Sequence, residues 1–235
     1  MTNIINLLSC PRNLSTALMY SFAQRSDCIV VDEPFYAYYL KKSAKKHPMY
    51  DEIILSQPHS YQDVVDQIHM LAKQHTYVFL KNMCHHQPED LTYLSGCKNI
   101  IYIRRPEQIA HSFKQIIPEA TEEDLGYTKQ FELFIKLKND KTQPVIFDSA
   151  YLQFEPERAL KSLCKALSIS FDTKMLTWKT GGIPEDGIWA DIWYQKVHQT
   201  TGFEKRITQL PSLPDGDDII SSNYRKMRKE AIELI

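Results

Sequence analysis

The stretch Ile4-Ile5-Asn6-Leu7-Leu8-Ser9-Cys10-Pro11-Arg12-Asn13-Leu14-Ser15-Thr16 decides the fold. Ile4 to Leu8 is a short apolar run stopped by a turn, the pattern of a buried strand. Pro11-Arg12-Asn13 ends it, and Leu14, Leu18, Met19 and Phe22 then fall on one side of a helix. A strand that enters a helix through a tight turn presents unpaired backbone N–H groups at the positive end of the helix dipole, which makes an anion site. Arg12 adds a permanent charge, and Ser15 and Thr16 add hydroxyl donors in the first helical turn. The same residues also read as an ordinary helix start capped by Asn13 or Ser15. The turn is not a Walker A loop, since both its glycines and its lysine are missing.

Working outward, apolar runs and helical patterns alternate. Cys28 to Val31, Tyr77 to Leu80, Ile100 to Ile103 and Val145 to Phe147 read as further strands. Helical spacing is carried by Tyr61, Val64, Val65, Ile68, Leu71 and Ala72, by Gln108 to Ile117, and by Glu122 to Lys138. It continues from Pro156-Glu157 through Leu160, Leu163, Cys164 and Leu167, and closes with Ile220, Tyr224, Met227, Ala231 and Leu234. Short strands separated by helices imply right-handed crossovers. The expected fold is therefore α/β, a single doubly wound, mostly parallel sheet of four to five strands flanked by helices. Ligands in such sheets bind beyond the carboxyl ends of the strands.

The 235 residues carry 28 Lys+Arg and 29 Asp+Glu, a net charge of −1, with 43% hydrophobic and 24% charged residues. At roughly 150 residues per domain nothing favours a split, and one domain over 1–235 is expected. The neutral balance removes the pull of a polyanion, so nucleic acid is not the expected partner. The five Cys are odd in number and scattered, without C-x-x-C spacing, which points to a reducing compartment and away from a zinc knot. The first ten residues lack a signal peptide's basic and apolar regions, and no apolar run approaches a membrane span. A cytoplasmic protein that binds neither metal nor membrane is expected.

The other strand ends carry the remaining candidates. After the fourth strand come Arg104-Arg105-Pro106 and then Ser112, a charge and a hydroxyl placed to share one phosphate. Gly181, Gly182 and Gly187 crowd together between Trp178 and Trp189, and a glycine backbone is able to approach a phosphate closely. Gly181 and Gly182, with Lys179, are expected to close over a nucleotide. The aromatic run Phe35-Tyr36-Ala37-Tyr38-Tyr39, with Trp189, Trp193 and Tyr194, reads either as core or as the wall of an acceptor pocket. Lys41-Lys42, Lys45-Lys46 and His47 read as a solvated helix end. Cys10, near Arg12 at a helix start, is a weak candidate nucleophile, because the phosphatase pattern needs an Arg where Thr16 stands. Cys84-His85-His86 is an equally weak metal site, since consecutive residues rarely converge on one ion.

These motifs resemble those of the sulfotransferase superfamily. Pro11-Arg12-Asn13-Leu14-Ser15-Thr16 is similar to its 5′-phosphosulfate loop, P-[RK]-S-G-[TS]-[TS]. Arg104 and Ser112 have the spacing of its 3′-phosphate motif, and Pro156-Glu157 through Leu163-Cys164 to Leu167 resembles its P-E-x-x-x-x-x-L-C-x-x-L helix. Asp32-Glu33-Pro34-Phe35-Tyr36-Ala37 and Glu185-Asp186-Gly187-Ile188-Trp189 resemble a little-characterised sulfotransferase-like subgroup, and the matches run from about Leu7 to Phe203. Leu14 stands where the wider family has Gly, and Asn13 where it has Ser. A Cβ at position 14 is expected to tighten or reshape the loop.

The resemblance implies a P-loop nucleotide-hydrolase-like fold. It also implies transfer of a sulfuryl group from 3′-phosphoadenosine-5′-phosphosulfate to a hydroxyl or amine of a small-molecule acceptor, without a metal. On it, Arg12, Asn13, Leu14, Ser15 and Thr16 would cradle the 5′-phosphosulfate, with Arg12 stabilising charge on the leaving phosphate oxygen. Arg104 and Ser112 would hold the 3′-phosphate. Sulfotransferases with a G-E-P-like segment use its carboxylate as base, which lands on Glu33. Those with a K-x-H segment use its histidine, which lands less well on His85, because the spacing from Lys81 is longer. Glu33 is preferred, since it ends a strand beside the phosphate loop. Two rival readings stand beside this one: a nucleotide-dependent phosphotransferase, weakened by the missing Walker lysine, and a nucleotide- or anion-binding module that lost its chemistry.

Overall fold

Along Ile4–Ser9 (β1) alternate side chains enter two different cores, which is how one strand becomes the centre of a three-layer molecule. In the computed structural model, which describes residues 3–43, 45–115, 119–140 and 142–234, four further strands run parallel to it. They are β2 (Cys28–Asp32), β3 (Tyr77–Met83), β4 (Cys97–Ile103) and β5 (Val145–Asp148), in the spatial order β2-β3-β1-β4-β5. The doubly wound parallel sheet expected from the sequence is present. However, β3 lies between β1 and β2, so the strand leading to Glu33 is not the expected neighbour of the phosphate-loop strand and reaches the cavity from one strand further out.

Ile5 and Leu7 of β1 pack with Phe79, Tyr102 and Phe147 under helices α1 (Ser15–Ala23) and, later in the chain, Pro156–Ala166. Phe22 of α1 stacks on Phe79 with ring centroids 4.2 Å apart. Ile4 and Leu8 face the other way, onto Val64 and Ile68 of Tyr61–Gln74, Leu133 of Tyr127–Asn139, and Tyr224 of Ile219–Lys229. Each such side chain contributes about 1.5–3 kcal/mol on burial. After β2 the chain forms α2 (Tyr36–Ser43), and after β4 it forms α3 (Pro106–Lys114).

The chain leaves β1 into α1 on one face of the sheet. It leaves β4 into α3, which packs by Ile109 and Phe113 toward Ile220 on the other face. The two loops diverge above neighbouring strands, and divergence of this kind opens a crevice at the carboxyl edge of the sheet.

Three sequence expectations about helices change. The pattern from Glu122 to Lys138 is two helices, Glu122–Leu125 and Tyr127–Asn139, separated by Gly126 at φ 71°. Glycine adopts this left-handed turn without steric cost, and a Cβ there would lie 3.1 Å from His85 Nδ1. The closing helix stops at Lys229 rather than running to Leu234. The chain instead lays Ala231 beside Ile146, and the Ile232 N–H bonds the Ile146 carbonyl at 2.9 Å. Unpaired backbone groups on the edge strand β5 offer more than another helical turn would. Finally, α3 ends at Lys114, and the part of its expected range at Ile116 and Ile117 lies outside the described residues.

Candidate active site

The turn between β1 and α1 is built on two left-handed residues, Arg12 at φ 60° and Leu14 at φ 68°. Leu14 holds a backbone conformation that glycine adopts freely, at about 1–2 kcal/mol of strain for a residue with a Cβ. Leu14 is itself the N-cap residue of α1, and no side chain caps that helix. Asn13 does not serve: its Nδ2 donates to the Tyr102 carbonyl at 2.8 Å and ties the turn to β4. The first-turn N–H groups of α1 are therefore left to whatever occupies the adjoining space. Pro11, Arg12, Asn13, Leu14, Ser15, Thr16 and Ala17 all line one cavity of about 890 Å³.

Arg104 and Ser112 line the same cavity. Arg104 Nη1 donates to the Arg12 carbonyl at 2.5 Å, and Arg12 Nε donates to Ser112 Oγ at 3.2 Å. The three residues thus meet through each other. Burial lowers the pKa of both arginines, and for Arg12 the nearby Arg104 charge lowers it further. Among the ion pairs of the described residues, none neutralises either guanidinium. The arrangement is an electropositive pocket that an anion would stabilise.

Across the cavity, the register of β2 and β3 sets Asp32 opposite Lys81. Glu33 follows with φ 43°, its N–H bonded to the Lys81 carbonyl at 2.8 Å. The Lys81 side chain is 0% exposed, and its Nζ donates to Asp32 Oδ1 at 2.9 Å and Glu33 Oε1 at 2.6 Å. The Tyr194 hydroxyl accepts from Lys81 and from Trp189 Nε1 and donates to Asp32 Oδ2 at 2.8 Å. The Gly187 N–H donates to Asp32 Oδ2 at 3.1 Å. Burial alone would discharge Lys81, but the two carboxylates outweigh it and raise its pKa. Burial raises that of Asp32 despite Lys81. Asp32 thereby anchors the segment from Gly187 to Tyr194, while Glu33 lines the cavity.

His85 and His86 form a 3-10 turn after β3 and both border the cavity. Burial pushes each well below the usual histidine pKa, His85 further because His86 is adjacent, and His86 further through His47, Lys81 and Lys45. Both are neutral imidazoles near pH 7. His86, and not the His85 on which the alternative base assignment fell, is the one beside Glu33, with Nδ1 3.4 Å from Oε2.

Gly181 and Gly182 are not among the residues lining the cavity. Their φ values of 96° and 93° form a turn in which the Gly181 N–H bonds the His198 carbonyl at 2.8 Å. A Cβ on Gly182 would lie 2.9 Å from Asp186 Oδ2, so the close approach inferred from these glycines is to the chain itself. Lys45, Lys46 and His47, read as solvated, do line the cavity, with Tyr36, Trp189, Trp193 and Tyr194. Cys10 is buried and its thiol is pushed well up by burial and by Cys84, which removes it as a nucleophile. Among the described residues no group of His, Cys, Asp and Glu could hold a metal ion. No helix among them is long and apolar enough to cross a membrane.

Lys81 and Arg206, which also line the cavity, were missed from sequence. For Lys81 a signal existed, a lysine directly after Val78-Phe79-Leu80, because a charge inside a buried strand needs a partner. Arg206 stands in no recognisable pattern.

Comparison with known proteins bears on the fold and the family. Two Arabidopsis thaliana proteins, Branched-chain-amino-acid aminotransferase-like protein 2 and protein 1, are 40% and 39% identical to the chain over 204 residues. These alignments cover 85% of this chain but 36% of each relative, so the chain spans about a third of their length. Among solved structures, the sulfotransferase domain from the Curacin biosynthetic pathway superposes with TM-score 0.57 at 14% identity, covering 100% of this chain and 99% of that one. The sulfotransferase domain from the Synechococcus PCC 7002 olefin synthase gives TM-score 0.61 at 15% identity, covering 97% and 95%. At such identities the likeness speaks for the fold. The sulfotransferase domain family model matches residues 2–231, and the chain belongs to that family.

Proposed function

We propose that this domain moves a sulfuryl group from 3′-phosphoadenosine-5′-phosphosulfate to a hydroxyl or amine of a small-molecule acceptor. The observation that carries the reading is the pair of half-buried arginines without an ion-pair partner among the described residues, beside an uncapped helix N-terminus and across one cavity from Glu33. Arg12 and the first-turn N–H groups of α1 would receive the 5′-phosphosulfate, and Arg104 with Ser112 the 3′-phosphate. Tyr36, Trp189 and Trp193 would form the acceptor wall.

Sulfuryl transfer, like phosphoryl transfer, is expected to pass through a loose, in-line transition state, so catalysis is mainly positioning and charge stabilisation. The S–O bond to the 5′-phosphate breaks, and negative charge grows on a phosphate oxygen beside Arg12. The acceptor oxygen or nitrogen bonds to sulfur and gives its proton to Glu33. Lys81 holds that carboxylate in place through Oε1.

The deciding experiment is an acceptor screen with ³⁵S-labelled donor, run beside calorimetry with adenosine 3′,5′-bisphosphate and with ATP. Tight bisphosphate binding and a labelled product support the reading. Preference for ATP with phosphate transfer would replace it with a phosphotransferase, and bisphosphate binding without turnover on any acceptor would leave a binding module.

A further inference from the structure

Glu33 is held firmly at one oxygen only. Lys81 Nζ takes Oε1 at 2.6 Å, while Oε2 faces His86 Nδ1 at 3.4 Å, close but without an aligned hydrogen bond. That Nδ1 is buried and has no hydrogen-bond partner, in a ring that is 4% exposed. A buried ring nitrogen without a partner is unusual enough to ask what it is for.

The surroundings of His86 fix where its ring lies. It stacks on Tyr36 with centroids 4.6 Å apart and planes 6° apart, and on Tyr39 with centroids 4.5 Å apart and planes 26° apart. Both tyrosines belong to α2, which starts three residues after Glu33. The titratable and charged groups facing the ring are Glu33, Lys81 of β3, Tyr36 and Tyr39, Lys45 and His47 beyond α2, and the neighbouring His85.

We propose that His86 is a positioning residue for Glu33. When the acceptor enters, its Nδ1–H donates to Oε2, so that the carboxylate is gripped at both oxygens, by Lys81 and by His86. The inference rests on Glu33 being the base. An ionised carboxylate only accepts hydrogen bonds, so the partner nitrogen must carry the proton and the imidazole takes the Nδ1–H tautomer. A neutral donor suits the task better than a second cation. It orients the carboxylate without the added charge that would weaken it as a base. Distances of this kind commonly tighten only when the reacting complex forms. His85 feels the Glu33 charge but makes no such close approach: its Nδ1 is also buried and without a partner, and it packs against Gly126.

The test pairs two variants with one spectroscopic measurement. His86→Phe keeps a flat ring and removes the donor; kcat should fall about tenfold or more, with KM for the acceptor nearly unchanged. The acidic limb of its kcat–pH profile should move to higher pH, because a carboxylate that loses a donor is more easily protonated. His86→Asn restores an N–H near the Nδ1 position and should recover most of the rate and return the limb toward wild type. ¹⁵N-histidine NMR on the wild-type protein should find His86 neutral with the proton on Nδ1, and Glu33→Gln should shift that resonance more than that of His85. A wild-type rate and an unmoved limb in His86→Phe would overturn the proposal, as would the Nε2–H tautomer in the wild-type spectrum. If no acceptor is ever sulfated, the proposed reaction fails, and the NMR result still decides whether His86 and Glu33 form a pair.

Discussion

Arg104 Nη1 donates to the carbonyl oxygen of Arg12 at 2.5 Å, so a side chain expected to hold a ligand also holds the loop that would hold the same ligand. Arg12 sits at φ 60°, a conformation that needs outside support, and Arg104 reaches it from the end of β4. The two halves of the pocket are mechanically linked before any anion is considered.

Arg104→Ala is therefore expected to act twice. Loss of a charged hydrogen bond costs roughly 1.5–3 kcal/mol, so adenosine 3′,5′-bisphosphate should bind about tenfold more weakly or worse. A nucleotide without the 3′-phosphate should lose less, though not nothing, because the loop loses its brace. Calorimetry on both ligands separates the effects, and equal losses would reduce Arg104 to the brace alone.

Arg12→Ala should lower turnover by about a hundredfold, the scale of one donor aimed at developing charge. Arg12→Lys should restore part of it, since position matters more than planarity for a single oxygen. An unchanged kcat in Arg12→Ala would remove the loop from the reaction.

Glu33→Gln keeps the side-chain volume and removes the basicity. A general base contributes typically 10²–10⁴-fold, so turnover should drop by at least the lower figure while bisphosphate binding survives. His85→Asn should lose less than about tenfold. Steady-state rates in the opposite order would transfer the proton to the histidine side of the cavity.

Leu14 gives a test that needs no activity. At φ 68° a Cβ is strained, so Leu14→Gly should be more stable than Leu14→Ala by about 1 kcal/mol, the reverse of the usual order near a helix. Urea unfolding of the two variants measures it. Equal midpoints, or alanine ahead, would mean that the loop relaxes out of the left-handed region in solution.

The sequence by itself determined the sheet, because its information is local. Runs such as Ile4 to Leu8 and Ile100 to Ile103 are short and apolar, as buried strands between helices are, and each runs into a turn that lines the cavity. Arg12, Glu33, Arg104 and Ser112 were legible for that reason. They follow strand ends, and strand ends in a parallel sheet share one edge.

What only the tertiary structure decided was which neighbours those residues meet. Gly181 and Gly182 looked like a phosphate clasp, yet their freedom is spent on a turn against Asp186 and His198. Lys45 to His47 looked like solvated charge, yet all three line the cavity, with Lys46 exposed and Lys45 and His47 half-buried. His85 was the histidine expected at the site, while the 3-10 turn after β3 sets His86 against Glu33. Tyr194 reaches Asp32 across 162 positions, and Lys81 reaches it across 49. Spacing and periodicity describe a residue's own element, whereas a charge is stabilised by groups brought from elsewhere in the chain, and those are set by packing.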